Sequence, residues 1–318
     1  MEVMVIEEAL LARPDDFAAW HAYSERLLGE GDARGTLIRL EQRLARTRPA
    51  DRPAVEREIA DLVAEHEGQW GDGLPGGARV LSSRYGFATE VAVKWSDDLR
   101  EHVEQVLRAP FVTTLRITSD KDMDWNDEDD DAADDDEADG EDDEDGDDED
   151  GDDEDWDDEP RLRRVGLGPL AGLDLGRLTE LDLSYLSIGS GGAELLAGLF
   201  VSDRLRALDL RYCRVADTGL AALAARPQLG GLRRLRLQRN EVSAEGVRSL
   251  HAFTELTELD LRYNELGTTG AQALLAAPFT GSLTRLWLYD ADVGQDGVRE
   301  LAQAGNLPPG LRSMWRCV

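Results

Sequence analysis

The chain has few of the residues on which most enzymes rely. Its four histidines, His21, His66, His102 and His251, stand singly in helical stretches, none near a cysteine or a serine motif. No Gly-rich phosphate loop, C-x-x-C or H-E-x-x-H occurs, so neither catalysis nor a bound cofactor is expected. The two cysteines, Cys213 and Cys317, are too few for a disulfide framework and fit a reducing compartment. Long apolar runs are missing, which removes the signal for a spanning helix. The opening MEVMVIEEALL carries acid where a secretory signal needs base. A cytoplasmic location without membrane contact is the expectation.

Acidic charge is abundant but local. Between Asp120 and Glu159 lie 29 acidic residues and one Lys, a net of −28 out of −32 for the 318 residues. That tract has only Trp125, Trp156 and Met123 as bulky residues, too little to build a core, and its like charges repel. It reads as a disordered insertion at 119–159. Three roles compete for it: passive solvation, competition with nucleic acid or capture of a basic protein through a phosphate-like field, or an internal lid. The lid would cover Arg233, Arg234, Arg236 and Arg239, or Arg161, Arg163 and Arg164. Glu141, Asp143, Asp145, Gly146 and Asp152 fall at part of an EF-hand spacing, but the final Glu is missing, so only weak cation binding is expected. The rest of the chain is nearly neutral, and nucleic acid is not an expected partner.

Against this background one pattern recurs five times: LTELDLSYLSI at Leu178, LRALDLRYCRV at Leu205, LRRLRLQRNEV at Leu232, LTELDLRYNEL at Leu256 and LTRLWLYDADV at Leu283. A Gly follows each start by 14 residues (Gly192, Gly219, Gly246, Gly270, Gly297), and four residues later comes a Leu. Apolar residues at the first, fourth and sixth places put one side of a short strand into a core. Ala271 with Leu274, and Val298 with Leu301, then change to helical spacing. Neither face can be buried by one unit alone, so the units must stack into a parallel sheet backed by a row of helices.

These units resemble leucine-rich repeats of the ribonuclease-inhibitor type, L-x-x-L-x-L-x-x-N/C-x-L followed by G-x-x-x-L, over roughly residues 160–318. Asn240, Asn264 and Cys213 occupy the ninth place as that pattern asks; Leu186 and Ala291 depart from it, so the side-chain ladder built there is expected to be partial. The resemblance implies an α/β solenoid with the sheet inside and helices outside, and a function in protein–protein interaction.

Residues 1–73 read as a separate helical bundle. A first helix carries Val5, Ala9 and Leu10; a second, capped by Asp15 or Asp16, carries Phe17, Trp20, Tyr23 and Leu27; a third spans Thr36–Arg46; a fourth opens at Pro53. The stretch AWHAYSERLLGEGDARGTLIRLEQRL is similar to a bacterial repeat-companion domain found ahead of leucine-rich repeats, which carries no assigned chemistry. Asp32-Ala33-Arg34-Gly35 fits a helix-to-helix turn better than a binding loop. Residues 74–118 read as a strand–helix–strand cap on the solenoid, and Leu311–Val318 as a terminal strand with Arg316 pointing inward.

Stacking in register makes equal places neighbours about 4.8 Å apart on the concave strand face. One row is Glu180, Ala207, Arg234, Glu258, Arg285; the next Asp182, Asp209, Arg236, Asp260, Trp287; the third Ser184, Arg211, Gln238, Arg262, Tyr289. The alternating signs suggest an exposed, self-neutralising lattice. Partner binding is therefore assigned to the aromatic end and rim: Trp287, Tyr289, Arg285, Tyr263, Tyr212, Tyr185, Arg262 and Arg211, types that dominate binding hot spots. The reading is a non-catalytic scaffold for a protein partner, with a regulatory or chaperone-like binder of basic proteins through the acidic tract as the alternative. If the repeat frame is right, Leu259→Ala should lower the unfolding free energy by about 2–5 kcal/mol in chemical denaturation.

Overall fold

A computed structural model of the chain describes residues 2–70, 73–119 and 164–315. The acidic tract with its EF-hand-like spacing, Arg161, Arg163, Arg316 and Cys317 lie outside them.

Four helices open the chain: α1 (Glu2–Ala12), α2 (Phe17–Glu30), α3 (Arg34–Arg46) and α4 (Arg52–Trp70). Asp16 caps α2, its carboxylate accepting the Ala18 and Ala19 amides at 3.1 and 3.0 Å. Gly31, at φ 77°, ends α2 in a left-handed turn. Gly35 allows α3 to lie against α2, since a Cβ there would come within 2.7 Å of the Ser24 carbonyl oxygen. Asp32 accepts the Arg34 backbone amide (2.9 Å) and its guanidinium, while Arg34 lies 4.2 Å over the Phe87 ring. The Asp32–Gly35 stretch is thus a turn that ties the helices to the next segment.

That segment completes the helices' own core. Leu10, Trp20, Tyr23, Leu27 and Ile38 pack with Tyr85, Phe87 and Phe111 in one buried cluster. Trp20 lies 4.7 Å from Tyr85 and 5.1 Å from Phe111, ring centre to ring centre. Phe17, expected on this face, is 47% exposed instead. The apolar burial of the first 73 residues is therefore shared with residues beyond them.

The sheet begins with a hairpin, β1 (Arg79–Arg84) antiparallel to β2 (Phe87–Lys94). Tyr85 and Gly86 join them, both at positive φ (54° and 76°), as a two-residue hairpin with the right twist requires. β1 was not legible as a strand because its side chains are mostly exposed and carry no apolar alternation. After β2 come α5 (Leu99–Arg108) and β3 (Thr114–Thr118), the expected strand–helix–strand run.

From β2 onward every strand pairs parallel with the next: β4 (Glu180–Asp182), β5 (Ala207–Asp209), β6 (Arg234–Arg236), β7 (Glu258–Asp260) and β8 (Arg285–Trp287). Leu115, Leu181, Leu208, Leu235, Leu259 and Leu286 are successive partners, all within 4% of full burial. Between strands run α6 (Gly189–Leu199), α7 (Ala216–Ala224), α8 (Ala244–Ser249) and α9 (Gly267–Leu275), then α10 (Asp290–Gln303), each packed on the one before. A single apolar core extends from Val91 to Trp315. The repeat glycines make this spacing possible: a Cβ on Gly219 would lie 2.8 Å from the Ala193 methyl and 3.0 Å from the Ser190 Cα on the preceding helix.

The C-terminus corrects the sequence reading. Leu311 to Met314 form part of α11 (Pro309–Met314) rather than a strand, and Leu311 and Trp315, four residues apart, are both buried in the apolar core. Pro308 and Pro309 favour a helix start at that point, Pro309 occupying its first turn.

Backbone groups at the ninth place are paired by side chains. Asn264 Oδ1 accepts the amides of Asn240 (3.1 Å) and Val242 (2.9 Å), and its Nδ2 donates to the Leu237 (2.8 Å) and Leu261 (2.9 Å) carbonyls. Asn240 does the same one repeat earlier, toward Val215 and Leu210. Cys213 donates a weak S–H to the Leu183 carbonyl, 3.1 Å away. Where Ala291 breaks the pattern, Asp292 replaces it: its Oδ1 accepts the Asn264 amide (3.0 Å) and its Oδ2 the Tyr289 amide (2.8 Å). The ladder thus continues one repeat beyond the last Asn. Asn264→Ala leaves four buried backbone groups unpaired and should cost about 2–5 kcal/mol in urea unfolding. Cys213→Ala, which forfeits one weak donor, should cost clearly less; equal losses would contradict the ladder's role.

Candidate functional site

The strand face turned away from the core carries the three rows expected, and the cap strands extend them. Ala92, Arg116, Asp182 and Asp209 are consecutive partners, so Arg116, missed in the repeat alignment, joins the second row. Its Nε lies 2.9 Å from Asp182 Oδ2.

The lattice is exposed only in part, which corrects the sequence reading: Glu180, Arg234, Arg236 and Glu258 are half-buried and Arg285 is exposed. Asp182, Asp209, Asp260, Arg211 and Gln238 are all buried. The reason is local: each Asp accepts the backbone amide two residues on and, in two repeats, the guanidinium of the same residue. Arg211 folds back on Asp209 with Nε 3.0 Å from both carboxylate oxygens, and Arg262 on Asp260 with NH2 2.8 Å from Oδ2. Arg236 reaches Asp209 at 3.5 Å and Arg234 reaches Glu180, two strands away, at 2.6 Å. Such buried pairs hold the face rigidly, and removing one member strands the other charge.

Arg211, expected to touch a partner, is 4% exposed and serves to hold Asp209. Arg262 is half-buried on Asp260 in the same way. Trp315 belongs to the core, and Trp287 is half-buried with Arg285 6.0 Å over its ring.

The rim is where side chains remain outside the core in a continuous row. Tyr185 and Tyr212 stack at 4.7 Å with a 21° interplanar angle. The Arg239 guanidinium lies 5.7 Å from the Tyr212 ring and 5.7 Å from that of Tyr263. Tyr263 meets Tyr289 edge-on at 5.0 Å. Its hydroxyl, hydrogen-bonded to Tyr289 and partly buried, is pushed up to about 12. Arg239 was not among the expected contact residues, although it stands at the same eighth place as the tyrosines. Tyr185, Tyr212, Arg239 and Tyr263 all have left-handed φ, 64°, 58°, 52° and 56°. That conformation costs an ordinary residue roughly 1–2 kcal/mol.

With this geometry in place, the comparison with known families agrees with the fold. Residues 205–224 and 254–275, the second and fourth repeats, match the family model described as Leucine Rich repeat. The chain therefore carries leucine-rich repeats, a module that generally mediates protein–protein interaction. No curated protein matches the chain. No described helix is long and apolar enough to cross a membrane.

One carboxylate at the centre of the face has a measurable signature. Asp182 is raised from 3.8 to about 6, first by burial and then by the charge of neighbouring Asp209, against the pull of Arg116. A raised carboxyl pKa means the folded state holds the proton more tightly than the unfolded chain. Its contribution to stability is full below about pH 4 and is lost as pH rises through 6. The stability of Asp182→Asn relative to the parent should therefore increase between pH 4 and 7, by on the order of 2–3 kcal/mol in urea titrations. A pH-independent difference would overturn this assignment.

Proposed function

We propose that the chain is a non-catalytic interaction scaffold that holds a protein partner along the tyrosine rim and the C-terminal end of the strand face. The contact set is Tyr185, Tyr212, Arg239, Tyr263, Tyr289, Trp287 and Arg285, with Arg211 and Arg262 holding the floor beneath. The observation that carries this reading is the rim itself: three tyrosines and an arginine occupy backbone positions where Gly or Asn costs less. Tyr263 remains 49% exposed there. Tyr and Arg on a rigid support offer large contact area at little ordering cost. The buried, self-paired charges of the central face disfavour a strongly charged partner there.

The alternative, capture of basic proteins through residues 120–159, rests on the composition of that tract. The two separate experimentally. Asn tolerates left-handed φ, so Tyr212→Asn with Tyr263→Asn exchanges two ring contacts of about 0.5–1.5 kcal/mol each for relief of backbone strain. The double variant should unfold within a few degrees of the parent yet lose the partners retained by the full chain in quantitative pull-downs at high salt. Partners that survive the tyrosine changes but vanish when 120–159 is deleted or salt is raised would favour the tract.

A further inference from the structure

The N-terminal helices carry a feature that the rim does not use. A cleft of about 590 Å³ opens along the α2–α3 hairpin, between His21 and Glu25 of α2 and Arg39, Gln42, Arg43 and Arg46 of α3. The volume is that of a small-ligand site. Gln42 is buried on its floor and donates from Nε2 to the Phe17 carbonyl on the facing helix at 3.1 Å, which fixes the two walls relative to each other. Ser24 lies buried beside it, its hydroxyl 3.4 Å from Arg39 Nε.

Three guanidiniums at i, i+4 and i+7 occupy one stripe of α3, a spacing of about 10 Å at 1.5 Å per residue. Like charges at such spacing destabilise a helix by a few tenths of a kcal/mol each, so solvation of the helix surface does not account for the pattern. Compensation is incomplete. Arg39 approaches Glu25 at 3.5 Å and Arg43 approaches Glu58 at 2.6 Å. Arg46 lies over the Phe17 ring at 6.0 Å and, among the described residues, has no carboxylate within ion-pair distance. The helix C-terminus accommodates Arg43 and Arg46 electrostatically but leaves Arg39, two turns back, outside its field. From Arg34 to Arg57 the chain holds seven Arg and three acidic residues.

We infer that this cleft binds a small anion bearing two or more linked phosphate groups. Forked guanidiniums match phosphate oxygens two at a time. A lone phosphate meets only part of a three-arginine stripe, whereas a phosphate chain lies along it. The exposed Phe17 ring beside Arg46 offers a surface for an attached base. All the lining residues belong to the α2–α3 hairpin, from His21 to Thr47, so the cleft offers a short, local site on one helix pair.

The test is calorimetric titration of the full chain at low and at raised salt, with ionic strength matched between probes. The probes are tripolyphosphate, a nucleoside triphosphate, orthophosphate and an oligo-aspartate peptide of matched charge. Tripolyphosphate should bind in a salt-dependent manner and more tightly than orthophosphate. Arg39→Gln and Arg46→Gln should each weaken it by about fivefold or more, with unchanged circular dichroism and thermal midpoint. Arg57→Gln, outside the cleft, should bind as the parent does. Equal affinity for the nucleoside triphosphate would place all recognition in the phosphate chain; a tighter fit would add stacking on Phe17. Absence of tripolyphosphate binding, insensitivity to both arginine changes, or equal or tighter binding of oligo-aspartate would each overturn the inference.

Discussion

Everything in this molecule depends on register between neighbouring strands. A three-residue strand with one apolar side and a helix with one apolar stripe cannot shield themselves, so each repeat is stable only as a neighbour of another. Because side chains alternate with a period of two, a one-residue slip would turn Leu181, Leu208, Leu235, Leu259 and Leu286 outward together. The side chains at the ninth place secure that register. Asn240 and Asn264 each bind backbone groups of two successive repeats, and Asp292 takes over where Ala291 cannot. A slipped strand would leave these buried amides and carbonyls without partners, at the full cost of their desolvation.

The same register generates the rows of the strand face and rim without any added device. Once equal places are neighbours, a residue type repeated in the sequence becomes a row in space. The Asp-Leu-Arg stretches at 209–211 and 260–262 become buried forks, and the tyrosines become a rim. This explains how a face rich in charged residues is nonetheless unpromising for charged partners. Its carboxylates are committed to backbone amides and guanidiniums of their own strands before any partner arrives.

What was legible in the sequence follows from the same logic. The array, its period and its framework leucines could be read because five copies reinforce one another. Features present once could not. β1 lacks apolar alternation, since its side chains are mostly exposed. The helical turn at Pro309 reads as a strand when the repeat frame is extended one unit too far. The burial of Asp182, Asp209 and Arg211 is not legible because spacing shows which residues adjoin but not that an arginine folds back over its own strand. The rim tyrosines were identified by place; that Arg239 joins their two pairs emerged only from the distances.

The rim also shows how a strained position can be informative. In the first four repeats the eighth residue turns left-handed just before the ninth side chain, whether it is tyrosine or arginine. Gly would meet that demand freely and Asn nearly so. Ring contacts between Tyr185 and Tyr212 and between Tyr263 and Tyr289 return part of the cost, so the choice is not purely a penalty. Those contacts do not require Tyr263 to remain half in solvent, nor Arg239 to bridge the two pairs in the open. A row built only for packing would turn its rings against the core, as Trp315 and Phe279 do. The direction in which these side chains are presented, more than their identity, is what supports the proposed role of the rim as a contact surface.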